Sequence, residues 1–276
     1  MINAVGNRMT REIARQQKLA EAIERTQIQI SGGKRLLRMS DDPIAARRIA
    51  TIGTSQASMT AWSANLNTAD ALVSQADGVM KSVSSLMTRA RELTLAAASD
   101  TANPADRATI AAELGTIADE LDALAATRDS NGEPVFATGT ARVMRFDSDV
   151  SFAPVQSAAD VFVVGGNSLS TSIRDAATAI AAGNKAAMGT SITTLGTAIS
   201  HVADEHAKLG LAGGRLERMG DGLAVREITL KDERSTIEDT NLDIAIAQLN
   251  AQDLTLQAAQ AAFAKINRQT LFDILN

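Results

Sequence analysis

The 276-residue sequence has no cysteine and no tyrosine, one tryptophan and four prolines, and aromatic residues make up only 3% of it. Without cysteine there are no structural disulfides and no thiol catalysis, a usage that fits an extracellular protein that never meets an oxidising folding machinery. With so few prolines and aromatics, the apolar content falls to Ala, Leu, Ile, Val and Met. That mixture suits long, closely packed helices and does not suit a large β-core. The formal net charge is −5 with both signs spread along the chain, so there is no basic stripe for nucleic acid. No stretch approaches the roughly 20 apolar residues of a membrane span, and the start Met1-Ile2-Asn3-Ala4-Val5 lacks the apolar core of a secretory signal. A membrane anchor is therefore not expected. Export, if it occurs, must read an uncleaved amphipathic start.

What is present is heptad pattern. The first segment, about residues 3–30, carries apolar side chains at Ile2, Met9, Ile23 and Ile30, with Val5 and Leu19 between them at helical offsets, interrupted by Glu12 and Gln16 and stopped at Ser31-Gly32-Gly33. Asp41-Asp42-Pro43 then reads as an acidic N-cap before proline at the first helical position. The helix it opens is expected to reach about Ala98, with Met59, Trp62, Leu66, Ala69, Val73, Ala76, Met80, Val83, Met87 and Ala90 in unbroken three-and-four spacing. Asn103-Pro104 opens a third helix with Ile110, Leu114, Ile117, Leu121 and Leu124 on one face, ended by the turn Asp129-Ser130-Asn131-Gly132.

Between Glu133 and Gly166 the period changes to two, at 143–146, 150–152 and 161–164, which predicts a small β-element too short to be an enzyme domain. A second heptad run follows at Leu195, Ile199, Val202, His206, Leu209, Gly213, Leu216, Gly220 and Leu223. The chain should thus run out, turn and return alongside itself. The last segment repeats Leu242, Leu249, Leu256 and Phe263 seven apart, with Ala245, Ala259 and Ile266 between them.

The predicted class is mainly α: a long antiparallel helical bundle or coiled coil with a small β-rich insertion. Residues 1–40 and 231–276 form a terminal-helix part, 41–132 and 167–230 a bundle core, and 133–166 the insertion. Each terminal helix offers an apolar stripe to other helices. The candidate assembly residues are Ile2, Met9, Ile23, Ile30, Leu242, Leu249, Leu256, Phe263 and Ile266.

Catalytic chemistry finds little support. His201 and His206 are five apart, off the shared face that an i, i+4 metal pair uses. Gly210, Gly213 and Gly214 follow no strand and precede no Gly-Lys-Ser/Thr, so they read as a close helix approach or hinge rather than a phosphate loop. Asp41 and Asp42 read as caps rather than paired catalytic carboxylates. No catalytic residue, metal or cofactor is expected. One basic cluster, Lys34, Arg35, Arg38, Arg47 and Arg48, is either a solvated turn or an inter-subunit salt-bridge surface.

The run Gln29-Ile30-Ser31-Gly32-Gly33-Lys34-Arg35 before Ser40-Asp41-Asp42-Pro43 resembles the bacterial flagellin superfamily. Thr88-Arg89-Ala90-Arg91-Glu92-Leu93-Thr94 and Thr127-Arg128-Asp129-Ser130-Asn131-Gly132 are similar to the same family. Gln257–Ile266 and the closing Leu271-Phe272-Asp273-Ile274-Leu275 resemble its hook-associated protein 3 members more than its filament members. The sequence departs from the family at Met39, where proline is frequent, and in its shorter insertion.

The resemblance implies secretion through the flagellar type III export apparatus with an export chaperone, and a tube or ring of self-assembled terminal helices. It also implies a place at the hook–filament junction between hook-associated protein 1 and flagellin. A short flagellin forming the filament itself is the alternative. An extracellular carbohydrate-binding protein or enzyme on the same scaffold would have to use the 133–166 insertion.

Overall fold

The structure is a computed structural model that describes residues 2–274 in backbone and 9–265 in side chain. Helix α1 (Ile2–Gly32) stops where Gly33 turns left-handed at φ +65°, a conformation that glycine adopts without steric cost. Helix α2 (Pro43–Ala97) starts as its sequence dictates: Asp42 Oδ1 accepts the Ala45 N–H at 3.0 Å, and Pro43 needs no partner for its missing donor. Helix α3 (Pro104–Ala125) opens on a capping box, in which the Asn103 side chain accepts the Asp106 N–H and Asp106 accepts the Asn103 N–H.

A β-containing segment follows, and then α5 (Leu169–Ala181), α6 (Lys185–Glu238) and α7 (Leu242–Ile274). The chain divides into two compact units, residues 1–56 with 227–276, and residues 57–226.

In the 57–226 unit, α3 packs on α5, burying Leu114, Ile117 and Leu121 with Leu169, Ile173 and Ile180. The α2 stripe from Met59 to Ala90 is buried apart from Trp62, which is half-buried. Each fully buried Leu, Ile or Met here contributes about 1.5–3 kcal/mol. Helices α2 and α6 run antiparallel. The Asp77 carboxylate meets His206 Nε2 at 2.7 Å, Arg91 lies against Gly196, and a Cβ on Gly213 would come 3.4 Å from Val73. The glycine at 213 therefore marks a close helix approach.

Two expectations are corrected. In α6 the buried positions are Met188, Leu195, Ala198, Val202, Glu205, Leu209, Leu216 and Leu223, while Ile199 and His206 are only half-buried. The spacing through 198 and 205 keeps the core face, and His206 is drawn to its flank by Asp77. Glu205 is tolerated there because its carboxylate accepts a hydrogen bond from Lys208 at 2.6 Å.

The predicted third strand is also different. Strands β1 (Met144–Arg145) and β2 (Ser151–Phe152) lie within the first two period-two runs and pair with each other, but Val161 and Phe162 belong to α4 (Ala158–Phe162). A capping box between Ser157 and Asp160 starts that helix and breaks the alternation. Strands β3 (Val163–Val164) and β4 (Asn167–Ser168) then form a separate hairpin around Gly165 and Gly166, both at positive φ. The first hairpin is fastened to the long helices. Asn65 donates to the Arg145 carbonyl, Arg226 pairs with Asp147, and Arg215 lies 4.1 Å over the Phe152 ring. The insertion is thus packed against the bundle.

Candidate assembly interface

In the unit of residues 1–56 and 227–276, α1 and α7 pack against each other. Glu12, Gln16, Leu19, Ile23, Thr26 and Ile30 form the covered face of α1, and Ala245, Leu249, Gln252, Leu256, Ala259 and Phe263 that of α7. Both sets follow the four-three spacing of a coiled-coil seam. The Thr26 hydroxyl lies 2.9 Å from the Ala22 carbonyl of its own helix and 3.2 Å from Gln252 Oε1, a polar layer in the seam; with Thr240 bonded to Gly33 further along, the two helices run antiparallel. Gln16 Nε2 is buried and has no hydrogen-bond partner among the described residues. Half of the α1 seam is polar, which leaves little apolar burial to hold the pair together. A two-helix hairpin of this composition is marginal alone.

A polar clasp closes the inner end of the hairpin. The Arg35 N–H donates to the Glu238 carbonyl at 2.7 Å, and the Thr240 N–H donates to the Gly33 carbonyl at 2.9 Å, so the α1–α2 and α6–α7 connections lie side by side. Burial pushes the Glu238 carboxyl up, but hydrogen bonds from Lys34 and Arg234 outweigh it and hold the group below the usual carboxylate range. Arg48 grips Glu233 through two hydrogen bonds at 2.6 and 2.7 Å and likewise lowers its pKa. Arg25 pairs with Asp41, and Arg35 with Asp42.

The sequence-derived assembly residues separate into groups. Ile23 is buried, and Ile30, Leu249, Leu256 and Phe263 are half-buried, all in the α1–α7 seam. The two ends of the chain therefore supply each other's first partner, one that the stripes themselves left unnamed. Met9 and Leu242 are exposed. The side chains of Ile2 and Ile266 lie outside the described residues.

The heptad reading missed the outward side of these helices. Ile13 and Ile28 on α1 are exposed, as are Ile244, Ile246 and Leu254 on α7, with Ile244 at 65% and Leu254 at 69%. Apolar residues between the heptad positions, where a lone hairpin cannot cover them, were the available signal.

The two histidines are held apart: His201 Nε2 meets the Asp160 carbonyl at 2.8 Å, whereas His206 meets Asp77. The Asp77 carboxyl is held below its ordinary range by hydrogen bonds from Lys81 and then His206. Among the described residues no cluster of three His, Cys, Asp or Glu could hold a metal, and no helix is long and apolar enough to cross a membrane.

Helices α1, α2, α3 and α7 and most of α6 fall within two regions matched by family models, and those models define the class: structural subunits of the bacterial flagellum. Models of the bacterial flagellin N-terminal helical region and C-terminal helical region match residues 2–140 and 192–275. The chain belongs to the bacterial flagellin family. A Bacillus subtilis flagellin-type protein, YvzB, is 30% identical over 80 residues, which are 29% of this chain. The chain spans about half (50%) of the length of that curated relative. Among solved structures, a flagellar hook-associated protein from Vibrio parahaemolyticus superposes with a TM-score of 0.66 at 16% identity, covering 72% of this chain and 100% of that one. Flagellar hook-associated protein 3 from Legionella pneumophila gives 0.57 at 14%, covering 75% and 99%. At these identities the likeness shows a shared fold.

Proposed function

We propose that this chain joins hook to filament, assembling with copies of itself into a short ring or tube between hook-associated protein 1 and flagellin. One observation carries the reading: α1 and α7 cover each other through a seam that is half polar on the α1 side and still present apolar side chains outward on both helices. An apolar surface on a marginal hairpin gains stability only by meeting further helices. The likeness in fold to hook-associated proteins over nearly their whole length is in keeping with this reading.

In this reading residues 1–40 and 231–276 polymerise, residues 41–132 and 167–230 form the surrounding shell, and the insertion 133–166 braces that shell. Ile2, Met9, Leu242 and Ile266 belong to contacts between copies, together with the outward face of α7. Ile23, Ile30, Leu249, Leu256 and Phe263 hold the hairpin that presents them. The chain reaches its site through the flagellar type III export apparatus, delivered by an export chaperone, and works outside the cell. It acts by assembly and not by catalysis.

A second reading, a short filament flagellin, is favoured by the family models at both ends and by the flagellin-type relative. Deleting the gene separates the two. The junction reading expects cells with hooks but no filaments, shedding flagellin into the medium; filaments that persist in shortened or altered form would refute it.

A further inference from the structure

The basic cluster of the first inter-helix connection is divided by the structure. Lys34, Arg35 and Arg48 are engaged with Glu238, Asp42 and Glu233. Arg38 and Arg47 have no ion-pair partner among the described residues, and the nearby acids Asp41 and Asp42 are already taken by Arg25 and Arg35. Beside these two cations stand two strongly exposed large apolar side chains, Met39 at 74% and Ile44 at 81%. A shallow cleft of about 150 Å³ opens there, lined by Leu36, Leu37, Met39 and Ile49 among others.

The outward side of α7 has the opposite charge and the same apolar character. Ile244, Ile246 and Leu254 are exposed, as is Asp243, and Asp253 is half-buried between the seam residue Gln252 and the outward Leu254; neither carboxylate has an ion-pair partner among the described residues. Asp243 is in the first turn of α7, where the helix dipole alone accounts for it. Asp253 is mid-helix, and the dipole does not account for it.

We propose that the 36–47 segment of one copy is the docking surface for the outward face of α7 of a second copy, with Arg38 and Arg47 facing Asp243 and Asp253. Met39 and Ile44 then meet Leu254 and its apolar neighbours. The inference rests on the assembly reading above and gives it a direction. Because the two surfaces differ, the contact is heterologous: each copy offers one surface forward and the other backward, the arrangement that builds rings and open helical assemblies rather than closed pairs. Opposite charges fix the orientation, and apolar contact supplies the burial.

The absence of cysteine makes the test clean. Full-length chain carrying both Met39→Cys and Leu254→Cys is expressed in place of the natural protein, and isolated flagella are treated with a short bismaleimide. The expected result is a ladder of linked chains beyond the dimer, with no ladder from either single variant. Adding Arg38→Glu and Arg47→Glu should reduce the ladder by about tenfold, since like charges then face each other. Adding Asp243→Lys and Asp253→Lys to that variant should restore it.

Dimers from Leu254→Cys alone would indicate a like-to-like contact and overturn the proposal. A ladder indifferent to charge reversal, or no ladder from flagella that carry the chain at the junction, would overturn it and leave the junction reading standing. Flagella that lack the chain overturn both.

Discussion

Replacing Leu256 by alanine tests whether the terminal helices are each other's first partner. A fully buried leucine loses about 2–5 kcal/mol on truncation, the upper part of that range coming from the cavity left behind. Leu256 is half-buried in the α1–α7 seam, at an open two-helix contact that closes over lost volume more easily than a core does. The expected cost is therefore about 1–2 kcal/mol, a factor of roughly 5–30 in the population of the opened hairpin. Hydrogen exchange on the dilute, full-length chain reads it directly. Amides of both α1 and α7 should exchange faster by that factor, while those of α3 and α5, whose Leu114, Ile173 and Ile180 are fully buried, keep their protection. Equal loss of protection in α3 and α5 would place Leu256 in the wrong interface. Acceleration of α7 with α1 unchanged would show that the two do not hold each other.

Other consequences concern the bundle and the clasp. Asn103→Ala removes one half of the capping box of α3 and should cost about 1 kcal/mol in chemical denaturation, with Asn103→Ser largely restoring it. Gly213→Ala places its methyl 3.4 Å from Val73, ordinary contact, and gains helix propensity, so it should be neutral or stabilise by up to about 1 kcal/mol. Gly213→Leu overfills the same approach and should cost about 1–3 kcal/mol, read from the shift in the thermal midpoint. For pH, the Glu238 carboxyl is depressed in the folded state. Its contribution is complete well above the ordinary glutamate value of about 4.3 and is lost as pH falls through the lower folded value. Protection of the Arg35 and Thr240 amides, taken relative to the intrinsic exchange rate at each pH, should therefore fall on acidification below about pH 4, and Glu238→Gln should remove that dependence.

Local chemistry was legible in the sequence wherever the cause is itself local. Asp42 and Asn103 announce their helices because a short polar side chain followed by proline satisfies the first donors whatever lies further away. The Met59–Ala90 stripe is legible because unbroken spacing leaves only one face for the core. The sequence could not show which helix covers a face. The α1 and α7 stripes looked partnerless because each pattern gives an orientation and no address, and their mates lie more than 200 positions apart, as Thr26 and Gln252 do.

In α6 the choice between Ile199 or His206 and Ala198 or Glu205 hinged on two side-chain pairings. Asp77 draws His206 to the flank, and Lys208 makes a buried glutamate tolerable; apolar periodicity carries neither. The run at 161–164 alternated like a strand, but Ser157 and Asp160 had already fixed a helical turn ahead of it. The outward residues Ile244 and Leu254 fall between heptad positions. A reading that searches for one stripe passes over the second face, which is where contacts between copies are proposed.

The central claim is a junction built from copies of this chain, and its most direct test is to see where the chain sits. Leu211 is exposed in the 57–226 unit, and Leu211→Cys adds the only cysteine to the chain. Maleimide dye on flagella of cells carrying this variant should give one focus per flagellum, at the boundary of hook and filament. Label running along the whole filament would contradict the account.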